Sequence, residues 1–417
     1  MNVKLINIIA SVLLFGTLVQ AQDKQTLDIL VSKGLITRAE ADAVAKNSVS
    51  ISPQSKKTKS IKLIGRVQTQ YEYISVDETH GGTENSLSTK SDFIMRRMFL
   101  GMNADLGAGW SATVIADFGR SSDNYLEYAY ISKKLDWEFL NGTADFGYKK
   151  TKFALEEYTS ASKLLTIERS PATRYFTEGN NGRRIGLGGR HTGIYWSGKI
   201  PEIDGIEYGA SITNSFNNSP ISIPENADNS PLFCANISYS ADFDDAEIQF
   251  GINGAYTDGM NVAGTAGAEY GSVYGVNPYV KASVLGAEIW ADFLMAKMAD
   301  GRNSYSENAL PMGLNIAAEY KFDIGEFGKL APAIRYSWLD TDGRGVKISD
   351  GIRNATGLTT YDSIQSVYAG LNWYINGNDL KFQIGYEWAQ ASGAPYGAIA
   401  DGHSDANAVR AQLQVLF

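Results

Sequence analysis

Phe233 to Phe243 reads FCANISYSADF. Phe233, Ala235, Ile237, Tyr239, Ala241 and Phe243 alternate with Cys234, Asn236, Ser238, Ser240 and Asp242. Successive side chains of a strand point to opposite faces, so this stretch makes one apolar and one polar face. The same period recurs on both sides. Leu63, Val67, Tyr71 and Tyr73 alternate with Lys62, Arg66, Gln68, Gln70 and Glu72, with Ile64 out of phase. Trp110 to Phe118, Leu314 to Phe322, Leu380 to Trp388 and Val409 to Phe417 repeat the pattern. Two architectures satisfy it. In a soluble sandwich the apolar faces meet a second sheet. In a membrane barrel they meet lipid. Segment length favours the barrel, since many segments approach the ~9–11 residues of a tilted membrane strand rather than the ~5–6 of an ordinary one. Aromatic residues at segment ends (Tyr73, Trp110, Trp338, Trp388, Phe417) fit interface girdles.

Sixteen such segments can be marked between residues 62 and 417, with fourteen or eighteen left open by the uncertainty of each boundary. The gaps alternate in length. Those at 107–109, 244–245 and 376–379 are short; those at 74–92, 150–183 and 339–364 are long. Short turns on one side and long loops on the other are the mark of a barrel, with both ends of the barrel chain on the short-turn, periplasmic side. The expected fold is all-β: a 16-stranded antiparallel transmembrane β-barrel over 61–417, preceded by a short N-terminal helical segment.

Composition agrees. A soluble chain of 417 residues would make two or three domains. Here Gly is 42, Tyr 23, Phe 17 and Trp 7, with only 20% charged residues, which fits an all-β membrane chain better. One cysteine excludes a disulfide framework and a cysteine zinc site. A net charge of −9 and a pI of about 5.1 argue against a general nucleic-acid partner. Residues 1–21 read as a secretory signal peptide: Lys4, the apolar run Ile6 to Val19, then a cleavage site after Ala21. That run is too short for a membrane-spanning helix, which needs ~20 residues. Residues 22–46 carry two short helical patterns, with Gly34 as a C-cap and Thr37 opening a capping box. Residues 47–60, with Lys56, Lys57 and Lys59, read as a polar linker.

Three stretches resemble the phosphate-selective porin O and P family: Ile29 to Val44 (ILVSKGLITRAEADAV); Arg96-Arg97 with Gly109-Trp110-Ser111, Asp117-Phe118 and Leu126 to Tyr130; and Phe146 to Lys149 leading to Thr166 to Ser170. The chain departs from the family pattern at Tyr148 and Lys150, where small and apolar residues are usual. The resemblance implies a trimeric, anion-preferring pore in the outer membrane of a Gram-negative bacterium. Its implied partners are small, phosphate-like anions, outer-membrane lipid and lipopolysaccharide, and the barrel-assembly machinery that reads Phe417. It implies no cofactor.

The longest gap, 150–183, is where a porin folds a loop inward. From Lys149 to Arg190 there are nine basic and four acidic residues, a net positive stretch in a negative chain. Rings of Arg and Lys in a narrow pore favour anions, and low-dielectric walls focus the field. The candidate pore-lining residues are Lys149, Lys150, Lys152, Lys163, Arg169, Arg174, Arg183 and Arg184, with Arg66 and Arg97 on the polar faces of their strands. Arg96 would then face outward unless a bulge intervenes. Glu127 and Asp117 can pair with these cations and cancel part of the field. The bland alternative is that the charges are solvated or bind lipopolysaccharide phosphates. No catalytic residue or metal site is expected. His80, His191 and His403 are too scattered for a metal motif, and chance explains His80 and His403 falling near Asp77, Asp401 and Asp405 better than a barrel hydrolase does. The leading reading is a passive anion porin; the alternative is a general-diffusion or structural barrel.

Overall fold

The structure is a computed structural model. It describes residues 31–33, 37–38, 58–80, 83–120, 125–137, 140–179, 183–214, 230–258, 260–261, 269–302, 307–395 and 402–417. Contacts divide the chain into two units, Met1–Thr58 with Phe417, and Lys59–Leu416. In the first, residues 31–32 form a helical turn. The expected signal peptide at 1–21, most of the helical segment 22–46 and nearly all of the linker 47–60 lie outside the described residues.

The second unit is a closed antiparallel barrel of sixteen strands. They are β1 (Ser60–His80), β2 (Thr83–Gly107), β3 (Trp110–Asp117), β4 (Leu126–Trp137), β5 (Leu140–Lys150), β6 (Arg190–Lys199), β7 (Ile206–Asn214) and β8 (Pro231–Phe243). There follow β9 (Ala246–Thr257), β10 (Val273–Val284), β11 (Ala287–Met298), β12 (Met312–Tyr320, resumed at Phe322–Asp323), β13 (Lys329–Asp340), β14 (Ser363–Asn378), β15 (Leu380–Ser392) and β16 (Gly402–Leu416). Each strand pairs with the next. The β1–β16 ladder, from Arg66 opposite Leu416 to His80 opposite Gly402, closes the cylinder and leaves no sheet edge.

Polarity is inverted relative to a soluble protein. Phe93, Leu100, Val114, Ile194, Phe250 and Ile334 are exposed, whereas Gln68, Asn253, Arg335, Asn372, Lys381 and Gln414 are buried. A sandwich would bury the first set against another sheet. Among the described residues no protein layer covers it, and the polar set faces inward, as hydrocarbon outside and water within require. Aromatic pairs mark both ends of the wall. Tyr71 packs on Phe93 and Tyr256 on Tyr274 at the long-loop end; Tyr320 packs on Phe322 at the short-turn end. The turn at Leu285-Gly286 has positive φ at both residues (48° and 91°), the twist that a tight hairpin demands.

The gap expected at 74–92 is replaced by strand. β1 has 21 residues and β2 has 25, well beyond the ~9–11 that span a bilayer. The physical reason lies at Ile74 and Val76. They continue the inward row of Gln68, Gln70 and Glu72, yet they are apolar and fully buried. They join Leu232, Ala391, Ala406 and Ala408 in an internal core at the long-loop end. Here the apolar side chains lie inward while Ser75, Asp77 and Thr79 lie outward, so the alternation is inverted relative to the rest of β1 although the ladder continues.

Candidate functional site

Between β5 and β6 the chain leaves the wall for residues 151–189. The neck of this loop is tied by the ladder pair Lys150–Arg190 and by Thr151 N–H donating to the Gly189 carbonyl at 3.0 Å. It holds two short helices, α1 (Leu155–Tyr158) and α2 (Pro171–Thr177). Ser170 caps α2, its Oγ accepting from Thr173 N–H at 3.1 Å, and Pro171 occupies the first turn, where no N–H is needed.

Side chains from β11 to β16 hold the loop. Asp292 accepts from Leu155 N–H at 3.3 Å, and Asn315 donates to Thr173 Oγ1 at 3.1 Å. Arg335 donates to Thr166 Oγ1 at 2.9 Å and to the Glu168 carbonyl at 2.6 Å. Asn372 donates to the Leu165 carbonyl at 2.8 Å, and Lys381 to the Ser162 carbonyl at 2.9 Å. Leu155, Leu164 and Leu165 pack on Tyr279, Trp290 and Ala317. Approach is close at Gly313, where a Cβ would stand 2.8 Å from Ala172 Cβ. Loop and wall thus occupy one side of the lumen together.

The other side keeps a cavity of about 680 Å³. Strands β1 to β6 line it opposite the loop, and ten of its lining side chains are basic against four acidic. The acids are spoken for. Glu127 meets Arg120 and Arg190. Glu157 meets Lys150 at 3.1 Å and Arg169 at 2.8 Å. Glu178 meets Arg174 at 3.0 Å, Arg184 at 2.7 Å and also Arg353. Two cations differ. Arg66 donates to Ser160 Oγ at 2.8 Å and lies over the Phe99 ring at 4.7 Å; Arg97 donates to Gln68 Oε1 at 2.8 Å. Neither has a carboxylate partner among the described residues.

Of the residues singled out from sequence, Arg66, Arg97, Lys150, Arg169 and Arg184 line this cavity together. The other five lie elsewhere. Lys149 sits 2.5 Å from Asp145 between the rings of Tyr130 and Tyr195. Lys152 lies over the Tyr158 ring, and Lys163 is exposed at the end of a 3₁₀ turn. Arg174 is buried, donating to Glu178 and to the Gly351 carbonyl. Arg183 is paired with Asp350 at 2.6 Å. Arg96, which a strict period of two sends outward, lines the cavity beside Arg97. Gln68 faces Arg97 while Thr69 faces Met95, so Arg96 is the extra residue of a bulge. Arg190 was legible only as a member of the basic stretch. Lys90, Arg120 and Arg353 also line the cavity. They stand in segments with no readable period, and nothing in the sequence marks them as inward.

The loop's ion pairs have a definite pH window. Burial opposes ionisation of Glu157, but Arg169 and Lys150 outweigh it and hold the carboxyl below its ordinary range. Burial likewise opposes ionisation of Glu168 and Glu178, and is overcome by Arg96 and Arg353 for the one and by Arg174 and Arg353 for the other. A depressed folded-state value stabilises above the unfolded value and is lost as pH falls through the folded one. These three groups should therefore leave thermal stability unchanged from pH 8 to about 5 and erode it only below the ordinary carboxylate range of about 4.3. Thermal unfolding followed by circular dichroism across that range measures this; a loss centred near pH 6 would contradict it.

A family model described as phosphate-selective porin O and P matches residues 61–216 and 300–417. Among solved structures, an anion-selective porin from Comamonas acidovorans aligns with a TM-score of 0.55 at 14% identity, over 86% of this chain and 99% of that one. The outer membrane channel DcaP of Acinetobacter baumannii aligns with a TM-score of 0.54 at 13% identity, over 88% of this chain and 99% of that one. A high-pH structure of OprB from Pseudomonas putida gives 0.51 at 10% identity, over 85% and 94%. At these identities the likeness concerns the fold alone. No curated protein matches the chain.

Proposed function

The chain belongs to the phosphate-selective porin O and P family, outer-membrane channels rather than enzymes, and from that premise we propose that it passes small anions, phosphate-like ones included, through a basic constriction. The constriction is the cavity between loop 151–189 and strands β1 to β6. One observation carries this reading: Arg66 and Arg97 line a cavity whose acidic side chains are already paired with other cations, so their charge is left for a passing ion. Arginine offers a planar fork of donors that matches the oxygens of phosphate and carboxylate. Transport is passive. An anion exchanges part of its hydration shell for guanidinium hydrogen bonds, and binding must stay weak enough to permit exit. The same reading includes a homotrimer, contact with lipopolysaccharide around the rim, and recognition of the strand ending in Phe417 by the barrel-assembly machinery.

Planar bilayer recording across a potassium chloride gradient tests it. Chloride should be more permeant than potassium, and added inorganic phosphate should reduce the chloride current by occupying the arginines. Equal permeability to both ions would favour a general-diffusion barrel instead. Cation preference, or no conductance, would reject the proposal.

A further inference from the structure

We infer that Arg353, on the loop 341–362 between β13 and β14, is a specificity-determining residue of the anion path, because it adds a cation to two carboxylates of loop 151–189 that are already paired. The inference rests on the reading of the cavity as an anion path.

Loop 341–362 turns inward and is held at several points. Its helix α3 (Ile348–Gly351) places Ile348 in the internal core with Tyr175 and Phe176. Arg344 Nε donates to the Tyr175 hydroxyl at 3.0 Å and Nη1 to the Gly301 carbonyl at 2.8 Å. Asn354 has a φ of 63°, a left-handed conformation that asparagine tolerates better than most residues. Its amide donates to both oxygens of Glu72 at 2.8 and 3.0 Å. Arg410 on β16 donates to the Arg353 carbonyl at 2.9 Å. The backbone around Arg353 is thereby tied to the β1 and β16 wall as well as to loop 151–189.

From that position the guanidinium of Arg353 spans two acids. Nε meets Glu168 Oε2 at 3.2 Å, and Nη2 meets Glu178 Oε1. Both acids already have partners. Glu168 accepts two bonds from Arg96; Glu178 accepts from Arg174 at 3.0 Å through two nitrogens and from Arg184 at 2.7 Å. Four guanidinium groups therefore surround two carboxylates, and the cluster is positive. Arg353, Arg96 and Arg184 all line the cavity. Glu168 and Glu178 do not need Arg353 to be satisfied, so its charge acts on the lumen. Burial lowers the dielectric around the cluster, and a charge there is felt further than one in bulk water.

The competing account makes Arg353 a tether that only stops loop 151–189 from moving. The two accounts differ in sign. A tether has two ends, so Arg353→Gln and Glu168→Gln would loosen the loop alike and shift selectivity the same way. A field has a direction, so Arg353→Gln removes a positive charge and Glu168→Gln a negative one. The full-length protein and the variants Arg353→Gln, Arg353→Lys and Glu168→Gln are compared in planar bilayers. Arg353→Gln should lower the chloride-to-potassium permeability ratio by about threefold, and Glu168→Gln should raise it, while Arg353→Lys stays near the parent. Shifts in the same direction, or an unchanged ratio in Arg353→Gln beside an anion-selective parent, would overturn the inference alone. A parent protein without anion preference would overturn the reading of the cavity and this inference with it.

Discussion

Arg335→Leu should produce a barrel that still assembles but conducts more and discriminates less. Arg335 on β13 is fully buried. Its Nη2 meets Glu387 at 2.6 Å, and its Nη1 meets Glu156 at 3.4 Å besides the two bonds to Thr166 and Glu168. Removing one partner from a buried ionic cluster costs about 3–5 kcal/mol, because the remaining charges lose their compensation. Leucine would recover about 1.5–3 kcal/mol at most by burying apolar surface. The loss wins, and it falls on the loop. The wall has its own ladders to β12 and β14, whereas loop 151–189 depends on side chains such as this one. The variant should keep the β signature in circular dichroism, show a larger single-channel conductance, and lose part of its anion preference. Conductance and selectivity both equal to those of the parent would show that Arg335 does not hold the loop.

The joint replacement Arg66→Glu and Arg97→Glu should have the largest effect on selectivity. It changes the cavity lining from ten basic and four acidic side chains to eight and six. More important, it reverses the two cavity charges that have no carboxylate partner among the described residues. At ~4 Å a unit charge acts on a passing ion with about 1 kcal/mol in water and about 4 kcal/mol at an effective dielectric of 20. Two reversals therefore suffice to lower the anion-to-cation permeability ratio by an order of magnitude or more, to the point of inverting it. By contrast, Lys149→Gln should shift the ratio little, since Lys149 is spent on Asp145 and stands outside the cavity lining. If the double variant kept the parent's ratio, ions would have to pass elsewhere in the lumen.

The difference between Lys149 and Arg97 shows where sequence reasoning stops. Both are basic, both lie near an inward position of a strand, and both belong to stretches that resemble the family. Charge along the chain cannot separate them. The carboxylate that silences Lys149 is four residues away, yet Arg97 has, among the described residues, the Gln68 amide across the β1–β2 ladder and no paired carboxylate. Arg96 is a second case. Its inward placement depends on its being the extra residue of β2 opposite the Gln68–Thr69 step, a slip of register that alternation in a single strand does not record. Arg353 is a third. It comes from a loop far along the chain from β1 to β6, and only folding brings it to Glu168 and Glu178.

By itself, the sequence determined the barrel. Alternation with a period of two is a property of neighbouring residues, and lipid outside with water inside acts on every strand in the same way. FCANISYSADF therefore reads correctly without knowledge of any contact. Only the tertiary structure decided which charges are spent and which are free. A charge is neutralised by whatever lies within a few ångströms, and in this chain those neighbours are brought from β2, loop 151–189, loop 341–362 and the β11 to β16 wall. Distance in space, not order along the chain, sets the Coulomb energy that an ion meets.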